Sequence, residues 1–356
     1  MIEKIVTRPE SNWTKAEGPH HHIVLSSRIR LARNLKELPM PAFQNETTGF
    51  TVLEKIRNAA QALDYKGGKK LYFYRLHEIP ALEKQILLEK HLISPEHRQD
   101  GVNRGLLINE DETISIMINE EDHLRLQVFY PGLQLKEAWE LANRVDDDLE
   151  SVLEYAFHSR KGYLTACPTN VGTGLRASVM VHVPALVITQ QAGNVFRSLG
   201  QLGFTVRGLY GEGTEATGNL YQISNQITLG QTEGEIIENL TTLTLQIVEK
   251  EEKARKWLLK ECPLQIKDRA GRAFGVLQNA AILNSQEALN YLSDVRLGAD
   301  LGFLNKDLLK NNLCELLVLA QPAFIQRYVG KVMEAQERDV ARAQFFTDKF
   351  SKRRSS

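Results

Sequence analysis

The chain has little of what announces several common classes of protein. Only three cysteines occur in 356 residues, Cys167, Cys262 and Cys314. None stands in the paired C-x-x-C spacing of a zinc or redox site, so neither a disulfide framework nor a structural zinc is expected, and the compartment reads as reducing. No apolar run reaches the roughly 18 residues of a membrane span, and Met1-Ile2-Glu3-Lys4 leads into mixed polar sequence rather than a secretory leader. A cytoplasmic protein is expected. Charge of one sign is also missing: 44 Lys and Arg balance 44 Asp and Glu. That leaves no global field favouring nucleic acid or an anionic membrane as main partner. Two phosphate-handling signatures are absent. Gly67-Gly68-Lys69-Lys70 lacks the G-x-x-x-x-G-K-[ST] spacing, and the His-Arg-Asp and Asp-Phe-Gly set of eukaryotic-type protein kinases does not occur.

What is present is a change of periodicity along the chain. Alternation at residues 23–33, 113–119, 124–130, 177–184, 205–210 and 220–229 predicts strands, and helical spacing at 47–63, 81–91, 133–158 and 187–199 predicts helices between them. From Glu233 onward the pattern is helical almost throughout, with 235–260 as one long helix. The length suffices for two domains. A larger mixed domain over residues 1–235 and a smaller helical one over 236–356 are expected, with the boundary between Gly230 and Lys260.

Strand alternation also sorts the arginines, because residues two apart share a face. In Ser26-Ser27-Arg28-Ile29-Arg30-Leu31 the arginines take one side and Ile29 and Leu31 the other. An extended backbone through Glu121-Asp122-His123-Leu124-Arg125 would put Glu121, His123 and Arg125 together. Arg176 heads the polar row of Arg176-Ala177-Ser178-Val179-Met180, and Arg207 opens the loop Gly208-Leu209-Tyr210-Gly211-Glu212-Gly213. A single such arginine reads equally well as an exposed sheet face. Five together suit a triphosphate, whose charge forked guanidinium donors bind bidentately and stabilise in transfer.

Two segments give that reading a family. Asn119-Glu120-Glu121-Asp122-His123-Leu124-Arg125 and Cys167-Pro168-Thr169-Asn170-Val171-Gly172-Thr173-Gly174-Leu175-Arg176 resemble signatures of the phosphagen (guanidino) kinases, and with the two other arginine motifs the match covers about residues 20 to 230. The resemblance implies an α+β fold with a mostly antiparallel sheet flanked by helices, followed here by an all-helical C-terminal domain. It also implies ATP with Mg²⁺ as cofactors. The nucleotide would be held by segments Ser27-Arg28-Ile29-Arg30-Leu31, Arg176-Ala177-Ser178-Val179-Met180 and Arg207-Gly208-Leu209-Tyr210-Gly211, with His91 and Arg125. Glu121 would be the catalytic carboxylate, Glu212 the second carboxylate and Cys167 the thiol beside the acceptor. Physical chemistry asks for these types independently. A guanidinium has a pKa above about 12 and is a poor nucleophile until carboxylates align it and take its proton. A thiolate at Cys167 would add negative charge against the substrate cation. The residues alone leave open whether Glu120, Glu121 or Glu212 takes the proton. They also leave open whether Cys167 is an inert thiol and whether 120–122 is a solvated turn.

The first arginine motif begins at Ser26 with only a short lead. Relatives acting on small guanidino compounds carry a helical domain ahead of it, so this chain is similar to the bacterial branch acting on arginine side chains of proteins. Arg338-Asp339-Val340-Ala341-Arg342-Ala343 fits that branch's RDxxRA pattern, which implies an allosteric phosphoarginine pocket formed by Arg338, Asp339, Arg342 and Ala343. The same residues also read as an ordinary helix whose charges pair with Glu334 and Glu337. Further implied are a homodimer through the helical domain, a zinc-binding activator protein, and an AAA+ unfoldase and protease that consumes the marked proteins during stress. The rivals are a kinase for free arginine or another small guanidino compound and a catalytically weak phosphoarginine-binding adaptor.

Overall fold

The structure is a computed structural model and describes residues 1–63, 70–99, 101–208, 216–305 and 313–351. Helix α1 (Ile2–Thr7) precedes strand β1 (Val24–Arg33), helix α2 (Glu46–Leu63) and strand β2 (Leu71–Arg75). Helices α3 (Ala81–Glu89) and α4 (Pro95–Arg98) lead to strands β3 (Gly105–Asn109), β4 (Ile114–Ile118) and β5 (Leu124–Pro131), then helix α5 (Leu135–Glu150). A small hairpin, β6 (Phe157–His158) and β7 (Gly162–Tyr163), precedes β8 (Leu175–His182), α6 (Pro184–Ile188), α7 (Ala192–Gln201), β9 (Phe204–Gly208) and β10 (Leu220–Asn225). Helices follow to the end of the described residues: α8 (Glu233–Glu261), α9 (Pro263–Asn279), α10 (Ser285–Asp300), α11 (Leu313–Leu319), α12 (Pro322–Val329) and α13 (Ala335–Ser351).

Eight strands form one sheet in the order β2-β3-β4-β5-β1-β8-β10-β9. The β2–β3, β3–β4, β4–β5 and β5–β1 pairs are antiparallel. Contacts divide the chain into two compact units, the first comprising Met1–Trp13, Ser26–Val179 and Ser224–Thr242, the second Thr14–Leu25, Met180–Ile223 and Leu243–Ser356.

In the first unit, every position of β4 is buried, as expected of a strand covered on both faces. Helix α5 buries Leu135, Ala138, Leu141, Ala142 and Leu149 as one stripe and packs on β5. In the second unit α9, α10 and α13 pack together, and α10 starts from a capping box in which Asn284 and Glu287 satisfy each other's backbone N–H.

Local chemistry explains where the elements depart from the periodicity. The 133–158 helix ends at Glu150 because the chain turns into the hairpin. The 187–199 helix is two, α6 and α7, parted by Gln190 in the left-handed region at φ 58°. Pro184 does not end β8 but opens α6, where a missing N–H costs nothing. Strands β2 and β3 were not expected.

Candidate active site

Strand β1 delivers the first two arginines as the alternation predicts. Arg28 and Arg30 are half-buried on one face, and Ile29 and Leu31 are fully buried on the other. Ala32 pairs with Arg125, so β5 places its arginine beside theirs, and β8 brings in Arg176. Arg28 Nε donates to Ser178 Oγ at 3.4 Å, Arg176 Nη2 to Ser224 Oγ at 3.2 Å and Arg125 Nη1 to Glu120 Oε1 at 2.6 Å. The buried Nε of Arg30 has no hydrogen-bond partner among the described residues. Burial, then Arg125 and Arg176, push the Arg28 guanidinium down to about 9. Burial and the same neighbours, with Arg28, push Arg30 well below its usual value. Cations crowded together with an unsatisfied buried donor are costly without a counter-charge. A polyanion such as ATP supplies it, so the residues fit that cofactor.

The catalytic carboxylate candidate sits on a turn rather than a strand. β5 begins only at Leu124, and Asn119 adopts φ 55°. His123 consequently faces away from the arginines: it is fully buried, its Nδ1 accepts from Leu35 N at 2.9 Å, and its Nε2 donates to Pro39 O at 2.8 Å. The expected grouping of Glu121, His123 and Arg125 is thus corrected to Glu121 and Arg125 alone. Glu120 is buried, accepting from Ser94 Oγ at 2.6 Å and Glu121 N at 3.0 Å besides Arg125. Burial pushes its carboxyl up, but Arg125 and those hydrogen bonds outweigh it and leave the group below its usual range. Glu121 is exposed at the cavity, and its carboxyl is raised by partial desolvation and then by Asp122 and Glu120. A raised carboxylate suits a proton acceptor better than Glu120, which Arg125 holds ionised.

Asp122 joins this turn to the thiol loop. It is 3% exposed, and its Oδ1 accepts from Asn34 Nδ2 at 2.6 Å and Ala166 N at 2.7 Å. Cys167 follows, half-buried, with Sγ 3.0 Å from Thr169 Oγ1. Gly174, at φ 64°, lets the loop return to β1: a Cβ there would stand 2.7 Å from Ala32 O. A cavity of about 100 Å³ results, lined by Arg30, Arg125, Arg176, Glu121, Asp122 and Cys167 among others.

Two supports were not foreseen in the sequence. Arg33 is buried, donates to Asp146 Oδ2 at 2.7 Å and to Thr173 O at 3.0 Å, and lies 3.5 Å from the Tyr163 ring, so it fastens both ends of the thiol loop. Lys90 is fully buried, its Nζ donating to Glu112 Oε1 at 2.6 Å and to the carbonyls of Ile5, Arg8 and Glu10 at 2.9, 3.0 and 3.3 Å. Trp13 Nε1 donates to Lys90 O at 3.0 Å, and its ring centroid lies 5.4 Å from that of His91. His91, at φ 61°, is pushed to about 3 by burial and then by Arg28, which places it in the field of the arginine cluster.

The other expected nucleotide positions divide. Ser27 is buried, its Oγ donating to Gly132 O at 2.8 Å, and Ala177 and Val179 belong to the core, so their side chains are committed elsewhere. Ser178 is buried against Arg28. Met180, Arg207 and Gly208 lie in the second unit, Arg207 exposed on β9. Leu209, Tyr210, Gly211 and Glu212 lie outside the described residues, as do Gly67, Gly68 and Lys69.

The RDxxRA segment forms the first turns of α13. Arg342 is 1% exposed and donates to Ala320 O at 2.7 Å, Leu283 O at 2.8 Å and Asp339 Oδ1 at 2.6 Å. Arg338 Nη1 donates to Met333 O at 2.9 Å, and Ala343 is buried. Arg338 and Asp339 are half-buried.

Comparison with known proteins agrees with this geometry. Residues 51–254 match the family model of the ATP:guanido phosphotransferase C-terminal catalytic domain, and 263–356 that of the protein-arginine kinase McsB C-terminal domain. A protein-arginine kinase of Symbiobacterium thermophilum is 52% identical over 341 residues, 96% of each chain. One from Halothermothrix orenii is 50% identical over 96% of this chain and 97% of its own. Among solved structures, lombricine kinase superposes with a TM-score of 0.58 at 27% identity, over 69% of this chain and 71% of that one. By domain, full-length relatives and fold alike, the chain belongs to the ATP:guanido phosphotransferase, or phosphagen kinase, family.

Proposed function

We propose that this protein is a protein-arginine kinase, transferring the γ-phosphoryl group of MgATP to the guanidinium of arginine side chains in proteins. The observation that carries it is the cavity in which Arg30, Arg125 and Arg176 meet Glu121 and Cys167. Its cationic side suits a triphosphate, and its Glu121 and Cys167 side suits a guanidinium. The choice of a protein acceptor rests on relatives of that name along 96% of the chain.

In the reaction a bond forms between a guanidinium nitrogen and the γ-phosphorus while the bond to the β,γ-bridging oxygen breaks. The electron pair leaves on ADP, and the proton lost by the guanidinium passes to a carboxylate. Arg28, Arg30, Arg125 and Arg176 hold and neutralise the phosphates, with Arg207 and His91 assisting, and Mg²⁺ arrives with the nucleotide. Glu121 accepts hydrogen bonds from the acceptor and takes the proton, with Glu212 as the second carboxylate, and Cys167 faces the acceptor cation. Catalysis is then mainly positioning and charge stabilisation.

Residues 1–235 form the catalytic part and 236–356 the helical part in this reading. The helical part makes a homodimer and binds phosphoarginine at Arg338 and Asp339, feeding product back on activity. Marked proteins pass to an AAA+ unfoldase and protease in the cytoplasm under stress, and a zinc-binding activator raises the rate. These finer statements rest on the resemblance and on the RDxxRA helix.

The test is neutral-pH mass spectrometry of an unfolded arginine-rich protein incubated with MgATP, with free arginine as competitor. Phosphoarginine on the protein with wild type and none with Glu121→Gln is expected. Label confined to free arginine would make this a small-molecule kinase, and phosphoarginine binding without ATP consumption an adaptor.

A further inference from the structure

Glu121 and Cys167 border one cavity from two different loops, and neither residue lies in a strand or helix that would fix the gap between them. An acceptor guanidinium has to sit in that gap in line with the γ-phosphorus, and an error of about 1 Å in such a placement costs on the order of a hundredfold in rate. The two loops therefore need a device that holds them in register.

Asp122 follows Glu121 and lines the cavity with it. Its Oδ1 accepts from the main-chain N–H of Ala166, the residue before Cys167, at 2.7 Å and from Asn34 Nδ2 at 2.6 Å. The path between the two cavity residues is thus a single peptide unit on each side of one carboxylate. Asn34, directly after β1, closes the frame. Its Nδ2 also donates to Leu164 O at 3.0 Å, its Oδ1 accepts from His123 N at 2.9 Å, and its main-chain oxygen accepts from Ala156 N at 2.8 Å. The pair grips the thiol loop at 164 and 166 and the carboxylate turn at 122 and 123, from the end of a core strand. Asp122 and Asn34 are both buried, so water does not compete for these bonds, and bonds to an ionised acceptor are about twice as strong as neutral ones.

The charge of Asp122 acts on the same neighbour. Glu121 is faced by Asp122, Glu120, Arg125 and Glu96 of α4, and Arg30, Arg176 and Cys167 share its cavity. Desolvation first and Asp122 next raise the Glu121 carboxyl. A base that is raised takes a proton more readily.

We propose that Asp122, held by Asn34, is a positioning residue for phosphoryl transfer, setting the gap between Glu121 and Cys167 into which the acceptor guanidinium fits. The inference deepens the protein-arginine kinase reading and rests on it.

The test uses the full chain with MgATP, an unfolded arginine-rich protein and free arginine, with phosphoarginine detected at neutral pH and kcat followed as a function of pH. Asp122→Ala removes both bonds and should lower kcat about a hundredfold with KM for ATP unchanged. Asp122→Asn keeps an oxygen for Ala166 and Asn34 but not the charge. It should restore kcat to within about tenfold of wild type and move the acid limb of the profile to lower pH, because Glu121 loses a neighbour that raises it. Asn34→Ala acts through the same bridge, so adding it to Asp122→Ala should lower kcat no further. An aspartate that only stabilises the fold would lose activity in step with the folded fraction and leave the acid limb in place. An unchanged kcat in folded Asp122→Ala, an Asp122→Asn as slow as Asp122→Ala or with the wild-type acid limb, or losses that multiply in the double variant overturn the assignment. Should Asp122→Ala not fold, the Asp122→Asn profile decides alone. If wild type labels only free arginine, the protein-acceptor reading falls and the same comparisons of kcat decide the assignment on that product. No transfer to either acceptor removes the kinase reading and the assignment with it.

Discussion

Arg30 in the first unit is half-buried with its Nε enclosed, Arg342 in the second is fully buried, and the two are treated in opposite ways. Arg342 spends its donors on two backbone carbonyls and Asp339, which makes it a strut between α13, the end of α11 and the segment before α10. Arg30 keeps a buried Nε without a partner among the described residues and stands among Arg28, Arg125 and Arg176. A satisfied guanidinium stabilises the protein by itself, whereas an unsatisfied one among cations is stabilised by what comes to it. Arginine content alone cannot separate a structural cluster from a binding cluster, but the hydrogen-bond accounting can.

The largest effect that distinguishes the two is expected from Arg30→Met. It should lower kcat/KM by roughly a thousandfold, from lost charge stabilisation, while thermal stability holds or rises because repulsion is relieved. A clear fall in unfolding temperature would mean that Arg30 is a strut after all. Arg342→Met should do the reverse, costing about 3 kcal/mol by stranding its acceptors. The readout is a lower first unfolding transition, with ATP binding retained. MgATP at a hundred times its Kd should stabilise wild type and Arg342→Met by about 2.7 kcal/mol, but not Arg30→Met. If Arg30→Met gains as much as wild type, the nucleotide is held elsewhere.

His97 illustrates a third treatment, in which the buried base is left neutral. Burial outweighs its hydrogen bond to Gly105 O and pushes it down to about 4. Between the ordinary value of 6.5 and that point the unfolded chain binds a proton that the folded chain refuses. Stability from this site is therefore complete above pH 6.5 and lost as pH falls, by about 2 kcal/mol at pH 5. Denaturation followed between pH 7 and 5 should show a shallower decline in His97→Gln than in wild type.

Much of this could be read in the sequence where a local rule governs. The alternation of Arg28 and Arg30 with Ile29 and Leu31 held because β1 is extended and its apolar face is fully covered. The same rule misplaced His123, since the chain does not become extended until Leu124 and the αL conformation of Asn119 turns the preceding residues over. Helix α5 was overrun because residues 151–158 keep a helical spacing that the turn into the hairpin overrides. What no local pattern carries is the long-range wiring. Asp122 reaches Asn34 and Ala166 across 88 and 44 positions, and Asn119 reaches Gly49 across 70. Those partners are set by the meeting of strands β1, β4 and β5 and the loops at their ends, which a linear reading does not hold. The family resemblance implied which residues react, and the fold shows the second set that packs around those among them that it describes.

Lys90 has a consequence for how freely different parts of the chain can vary. Three of its four acceptors are main-chain oxygens, at Ile5, Arg8 and Glu10, which every amino acid possesses. The identities of those three residues are therefore open to drift without touching the ammonium, provided the backbone keeps its path. Lys90 and Glu112 enjoy no such latitude, because losing either leaves the other charged and enclosed. An inherited change there would have to arrive as a pair.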